Sequence, residues 1–153
     1  MKYVVDVNVP MVSDGKSPQA TQQCVLNCVS FIERLKNSHK LILDSRSKIL
    51  QEYTNKLSSR REDSLSREFF RWVMSIHADP AYCEKVNICP NRQRGFDEFP
   101  TDNKLRRFHW DDRKYIAVAI AHSEKPEIAQ AVDNKWRPFE RDLRRHGVRI
   151  LFL

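Results

Sequence analysis

The chain alternates short apolar runs with longer amphipathic ones, and this order constrains its fold more tightly than any single residue. Residues 2–6 form a continuous β-rich run in which Tyr3, Val4 and Val5 lead straight into Asp6, as expected of a strand buried on both faces of a parallel sheet. Ser17 and Pro18 read as an N-cap and a first-turn proline. Val25, Cys28, Val29, Ile32 and Leu35 then continue as one helical stripe to about Lys36. A second strand is predicted at 41–43, and Asp44 and Ser45 open a helix with Ile49, Leu50, Tyr53 and Leu57 on its apolar face. A polar link over 58–64 leads to another helix, carrying Phe69, Phe70, Trp72, Val73 and Ile76, which ends before Asp79 and Pro80. Residues 86–88 read as a short third strand.

Between 89 and about 110, Pro90, Gly95 and Pro100 interrupt any periodicity, so this segment reads as a long loop with a short helix at 103–108. Asp111 and Asp112 open a helix that runs to Ala121, a strand over 128–132 ends at Asp133, and a helix spans about 137–145. His146 and Gly147 stop that helix, and 148–153 closes the chain as a strand. Strands separated by helices imply an α/β domain with right-handed crossovers and a mostly parallel sheet. Ligands belong at the C-terminal ends of such strands. With 153 residues and a hydrophobic fraction of 41%, one domain over 1–153 can bury a core.

The net charge of +7 favours a polyanionic partner. No apolar run approaches the roughly 18 residues that cross a bilayer, and residues 3–5 resemble a strand rather than a signal peptide, so a cytoplasmic protein with no membrane partner is expected. Cys24 and Cys28 lie one helical turn apart on the apolar stripe and read as buried thiols. A zinc site from His77, Cys83 and Cys89 has a spacing that matches no familiar pattern.

Asp6 and Asp133 each end a predicted strand, while Glu52 and Asp112 lie on helices near the same edge of the sheet, so four carboxylates can converge. Crowded acids repel one another and raise each other's pKa unless cations neutralise them, and hard oxygen ligands select magnesium or manganese. An ion held this way activates water and neutralises charge on a phosphodiester. The chain has no nucleophile elbow, Walker loop or dinucleotide glycine fingerprint. Each acid also has an ordinary structural role open to it: Asp112 as a helix cap, Glu52 as a solvated helix residue, the others at turns. Asp6 fits that account least, because Val7, Asn8 and Val9 follow it instead of a polar turn.

The run Tyr3-Val4-Val5-Asp6-Val7-Asn8 resembles the opening strand of PIN-domain ribonucleases. Ile49-Leu50-Gln51-Glu52-Tyr53 is similar to the helix that supplies that family's glutamate, and the segment from Asp112 to Ala119 to the helix bearing its next aspartate. Ala131-Val132-Asp133, Trp136, Leu143 and His146-Gly147-Val148 resemble its closing strand, helix and strand. The resemblance implies a three-layer α/β/α fold, a magnesium or manganese centre at Asp6, Glu52, Asp112 and Asp133, and endonucleolytic hydrolysis, of RNA ahead of DNA. Many small members are toxins held by an antitoxin, so a toxin-type protein with such a partner is one candidate reading, and a homodimer is a further partner candidate. Lys135 departs from the pattern, standing where many members carry another acid; Asp111 is the candidate replacement, with an N-cap role equally open to it. Asn8, Arg94, Arg106, Arg107 and Arg113 are expected to contact substrate, with Phe96, Phe99, Phe108 and Trp110 able to stack on unpaired bases. Arg60-Arg61 and Arg144-Arg145 read as solvated surface. The rival readings are a catalytically silent module of the same fold that binds RNA or protein, and a receiver-like domain, which lacks its phospho-acceptor aspartate and its lysine loop.

Overall fold

A computed structural model of the chain describes residues 1–132 and 134–153. The N-terminal half runs β1 (Lys2–Val5), α1 (Asn8–Ser13), α2 (Gln22–Ser38), β2 (Lys40–Asp44), α3 (Lys48–Leu57), α4 (Leu65–Ile76) and β3 (Cys83–Val86). A small hairpin, β4 (Pro90–Asn91) and β5 (Gly95–Phe96), precedes α5 (Arg113–Ala121), β6 (Glu127–Gln130), α6 (Glu140–Arg145) and β7 (Ile150–Phe152). The main sheet has the order β3-β2-β1-β6-β7 with every pair parallel. Helices flank it, making the expected three-layer α/β/α fold: α2 and α3 pack on β2, and α5 lies against β1, β2 and β6.

Chain order in the sheet runs outward from β1 to β3, then reverses to β6 and β7 on the other side. The switch point therefore falls between β1 and β6, and open α/β sheets bind ligands in the crevice outside the strand ends at this point. Val5 is in register with Ala129, and the Asp6 N–H donates to the Ala129 carbonyl at 3.0 Å. Asp6 thus emerges at the crevice.

Several boundaries differ from the sequence expectation for identifiable reasons. The segment after Asp6, to which the sequence pattern assigns no element, is the helix α1: the Asn8 N–H donates to Asp6 Oδ1 at 2.7 Å, and Val9, Pro10 and Val12 are buried. Ser17 and Pro18 form a turn closed by the Ala20 N–H on the Ser17 carbonyl, and α2 is capped instead by Thr21, which accepts from the Cys24 N–H at 3.1 Å. The third strand begins at Cys83 and ends at Val86; as an edge strand it tolerates Glu84 and Lys85, which hid it, while the apolar Ile88 is buried beyond its end. Asp44 belongs to β2, not to the following helix. Its buried carboxylate accepts three backbone N–H groups, with Oδ2 serving Arg46 and Lys48 and Oδ1 serving Ile49, and Ser47 turns the chain in the left-handed region.

Asp44 therefore sets the angle at which α3 leaves the sheet. Asp44→Ala should lower the unfolding free energy by about 2–3 kcal/mol in chemical denaturation, more than the ~1 kcal/mol of a single exposed cap, because buried N–H groups lose a charged acceptor. Asp44→Asn, which keeps one acceptor oxygen, should fall between the two proteins.

Candidate active site

Three of the four predicted carboxylates reach one cleft. Asp6, at the end of β1, is only 2% exposed. Glu52 comes from the second turn of α3, and Asp112 from a 3-10 turn, Trp110–Asp112, that runs into α5. Together with Val7, Asn8, Met11, Lys56, His109, Asp111 and Lys135 they line a cleft of about 230 Å³. Asp133 lies outside the described residues.

Each carboxylate is oriented by a donor from a different part of the fold. The Tyr115 hydroxyl donates to Glu52 Oε1 and accepts from the Val7 N–H at 3.3 Å, while Lys114 Nζ lies 3.4 Å from Glu52 Oε2. Asp112 occupies the N-cap position of α5, yet its side chain caps nothing. Oδ2 instead accepts from the Trp136 indole N–H at 3.0 Å and faces His109 Nδ1 at 3.7 Å. A helix-cap role for Asp112 is therefore set aside. Beneath the cleft, the Tyr53 hydroxyl donates to the Val5 carbonyl. Burial first, then the negative charges of Asp6 and Glu52, hold both Tyr53 and Tyr115 well above the usual phenol pKa. Both tyrosines therefore stay protonated and remain donors.

The expected substrate arginines are not gathered at this cleft. Arg113 is corrected outright: it is buried, and its guanidinium donates to the carbonyls of Phe108, Arg94, Leu105 and Arg106 while lying 4.3 Å from the Phe99 ring centroid. Its donors organise the 89–110 segment and leave no fork for phosphate. Burial, which penalises its charge, pushes its pKa down. Arg94 donates to the Phe99 and Asp97 carbonyls in its own loop. Arg106 and Arg107 are exposed, and Arg106 shares a separate groove with Arg94, Asn103 and Asp102. Phe99 and Phe108 are core residues rather than stacking platforms, with Phe108 edge-on to Trp136 and Phe139. Asn8 is half-buried and lines the cleft.

No protein-family model matches the chain, and no curated protein or solved structure is significantly similar to it. Among the described residues, no helix is long and apolar enough to cross a membrane.

Sequence reasoning missed a second group at the opposite edge of the sheet. There Glu84, His122 and Glu124 each offer a ligand atom within 4.8 Å of the others, the one such trio among the described residues. A cation is already built into it. Lys2 Nζ lies 3.0 Å from Glu84 Oε1 and pairs with Glu124, and Lys40 Nζ adds a contact to Glu84 at 3.5 Å. His122 Nδ1 accepts from the Glu124 N–H at 3.1 Å, so the neutral ring carries its proton on Nε2, which donates to Glu84 at 2.8 Å. With both ring nitrogens committed and an ammonium between the acids, the group is an ion cluster that ties β1, β2 and β3 to the turn before β6. The His77, Cys83 and Cys89 grouping is not assembled among the described residues: Cys83 is buried, its thiol pushed up to about 11, and His77 Nδ1 contacts Lys85. Cys24 and Cys28 are buried and unpaired as expected, and burial pushes the Cys28 thiol up to about 12. Arg60 pairs with Asp14, Arg144 with Glu140, and Arg145 with Asp142.

Two outcomes follow from these contacts. Arg113→Ala should destabilise the protein by about 3 kcal/mol, since several buried carbonyls lose a charged donor, and Arg113→Lys should recover little because an ammonium cannot span the fork; urea denaturation measures both. The hydrogen bonds from His122 and Lys2 hold Glu84 at about 2, below its ordinary 4.5. A depressed carboxylate pKa adds stability that is complete above about pH 4.5 and vanishes as the pH falls toward 2. The melting-temperature gap between wild type and Glu84→Gln should therefore be full at pH 6 and close progressively below pH 4.5.

Proposed function

We propose that the chain is a nuclease dependent on magnesium or manganese, acting on RNA ahead of DNA through the cleft of Asp6, Glu52 and Asp112. The observation that carries this reading is the meeting of these three acids, from separate elements, at the sheet's switch point with exposed Lys56 and Lys135 on the rim. The resemblance to PIN-domain ribonucleases supports it, and assigns the fourth carboxylate to Asp133.

The donor set fits a hard cation. Tyr115 and Lys114 engage the two oxygens of Glu52, and a carboxylate with about four lone-pair sites keeps acceptor capacity for an ion. A bound magnesium or manganese ion would supply positive charge against the phosphate and a water of lowered pKa. The protein's own contribution is orientation: Tyr115 holds Glu52, Trp136 holds Asp112, and the Asn8 N–H holds Asp6. Lysines on the rim offset the repulsion between acids and an incoming phosphodiester. Lys135 in that rim is also what favours the second reading, a silent module that binds RNA without cutting it. An antitoxin partner, self-association and a cytoplasmic setting belong to the same proposal.

The test is incubation of the protein with single-stranded and structured RNA and DNA in manganese, magnesium or chelator, with products resolved on a gel. Metal-dependent cleavage is expected. Asp6→Asn should lower it on the order of 100-fold or more while the circular dichroism spectrum is unchanged. Manganese at millimolar concentration should raise the melting temperature of wild type, because the ion neutralises clustered acids, and should raise that of Asp6→Asn less. Cleavage by Asp6→Asn with wild-type metal dependence would sink the site, and binding without cleavage by wild type would establish the silent module.

A further inference from the structure

We propose that the hollow beside the acid cleft is a subsite for an unpaired nucleobase, stacked on Trp110, so that the preferred polymer is single-stranded nucleic acid. The inference rests on the nuclease reading only for the direction in which the strand continues, from the hollow into the cleft.

The hollow has a volume of about 330 Å³ and is lined by Lys48, Pro90, Gly95, Phe96, Trp110, Asp111 and Lys114. It adjoins the acid cleft: Asp111 lines both, and Lys114 pairs with Glu52. A nucleotide held here therefore neighbours a phosphate at the carboxylates.

Trp110 is 50% exposed, whereas Trp136 is wholly buried. Exposing an indole costs hydration free energy, yet this one is fixed in place. Its ring lies 5.0 Å from the Arg113 guanidinium carbon, and that guanidinium is itself locked by carbonyls of the 89–110 segment. Gly95, whose φ of +89° lies in the left-handed region that favours glycine, places the hairpin beside this pair, its Cβ position 3.5 Å from Arg113 Cδ and 3.8 Å from Trp110 Cε2. The backbone of Trp110 is held in the turn that opens α5. A pre-ordered aromatic loses little freedom on binding, and base-on-aromatic stacking is the dominant contact where proteins hold unpaired bases.

The surroundings select a nucleotide over an apolar peptide. Lys48, exposed at the start of α3, is the cation beside the aromatic lining of Trp110 and Phe96, while Lys114 in the same lining is held by Glu52. This combination of stacking face and basic flank is what a single strand uses, and bases stacked inside a duplex have no face to offer. The overall charge of +7 acts in the same direction.

The experiment measures binding of 12-nucleotide oligouridylate, oligothymidylate and a duplex of equal length to the intact protein in chelator, so that no cleavage intervenes. Wild type should prefer both single strands to the duplex, and binding should quench tryptophan fluorescence. Trp110→Ala should weaken single-strand binding by roughly 5- to 100-fold, while Trp110→Phe retains most of the affinity and loses the quenching. Lys48→Ala should lower the salt slope of binding by about one, a change that Trp110→Ala does not produce. Near-ultraviolet circular dichroism of Trp110→Phe establishes that the fold persists. Wild-type affinity in Trp110→Ala, tighter binding of the duplex, or no binding of any oligonucleotide overturns the subsite. If Trp110 governs binding but metal brings no cleavage, the subsite stands and the nuclease reading falls; if Trp110→Ala binds and cuts as wild type does, the subsite alone falls.

Discussion

Two buried tyrosines beneath the acid cleft hold together the elements on which everything else depends. Tyr53 from α3 donates to the carbonyl of Val5, and Tyr115 from α5 is fastened between the Val7 N–H and Glu52. Through them the end of β1, helices α3 and α5 and the candidate ligand Glu52 share one hydrogen-bonded unit. Because burial and the nearby acids keep both phenols protonated, the unit does not loosen near neutral pH. Such a satisfied buried network rigidifies its surroundings, which is what a constellation of like charges requires before any cation arrives.

The 89–110 segment follows the same logic with a cation at its centre. Arg113 supplies several donors to backbone carbonyls of this segment, and its flat face covers Phe99. A long loop is thereby converted into a packed unit resting on α5, with Phe108 and Phe99 inside it and Trp110 outside. Arg113, one of the arginines expected to contact substrate, instead builds the wall beside the cleft.

The two edges of the sheet carry charge in opposite ways. At the N-terminal edge, Lys2 and Lys40 pair with Glu84 and Glu124, His122 adds a hydrogen bond to Glu84, and charges so neutralised need nothing further. At the C-terminal edge, Asp6, Glu52 and Asp112 come from elements joined at the switch point, and the cations near them are mostly on the rim. The first arrangement completes itself, whereas the second concentrates negative charge where a ligand has room to enter.

The alternation of elements, the parallel sheet and the strand that ends at Asp6 were legible in the sequence, because a buried parallel strand must be apolar along its length and helices must show a stripe. The pattern also pointed to Glu52 and Asp112. It could not place β3, since an edge strand carrying Glu84 and Lys85 lacks the apolar signature, nor α1, whose start depends on one Asx turn at Asp6 and Asn8. The role of an arginine was equally out of reach: Arg113, Arg94 and Arg106 look alike in sequence. Only the folded chain decides which guanidinium faces carbonyls and which faces water. The same holds for the pairing of Trp136 with Asp112 and of Tyr115 with Glu52, which join residues 24 and 63 positions apart. Local periodicity reports which face of an element is buried, but the partner of a buried polar group is set by how the layers meet, and that is a property of the tertiary structure alone.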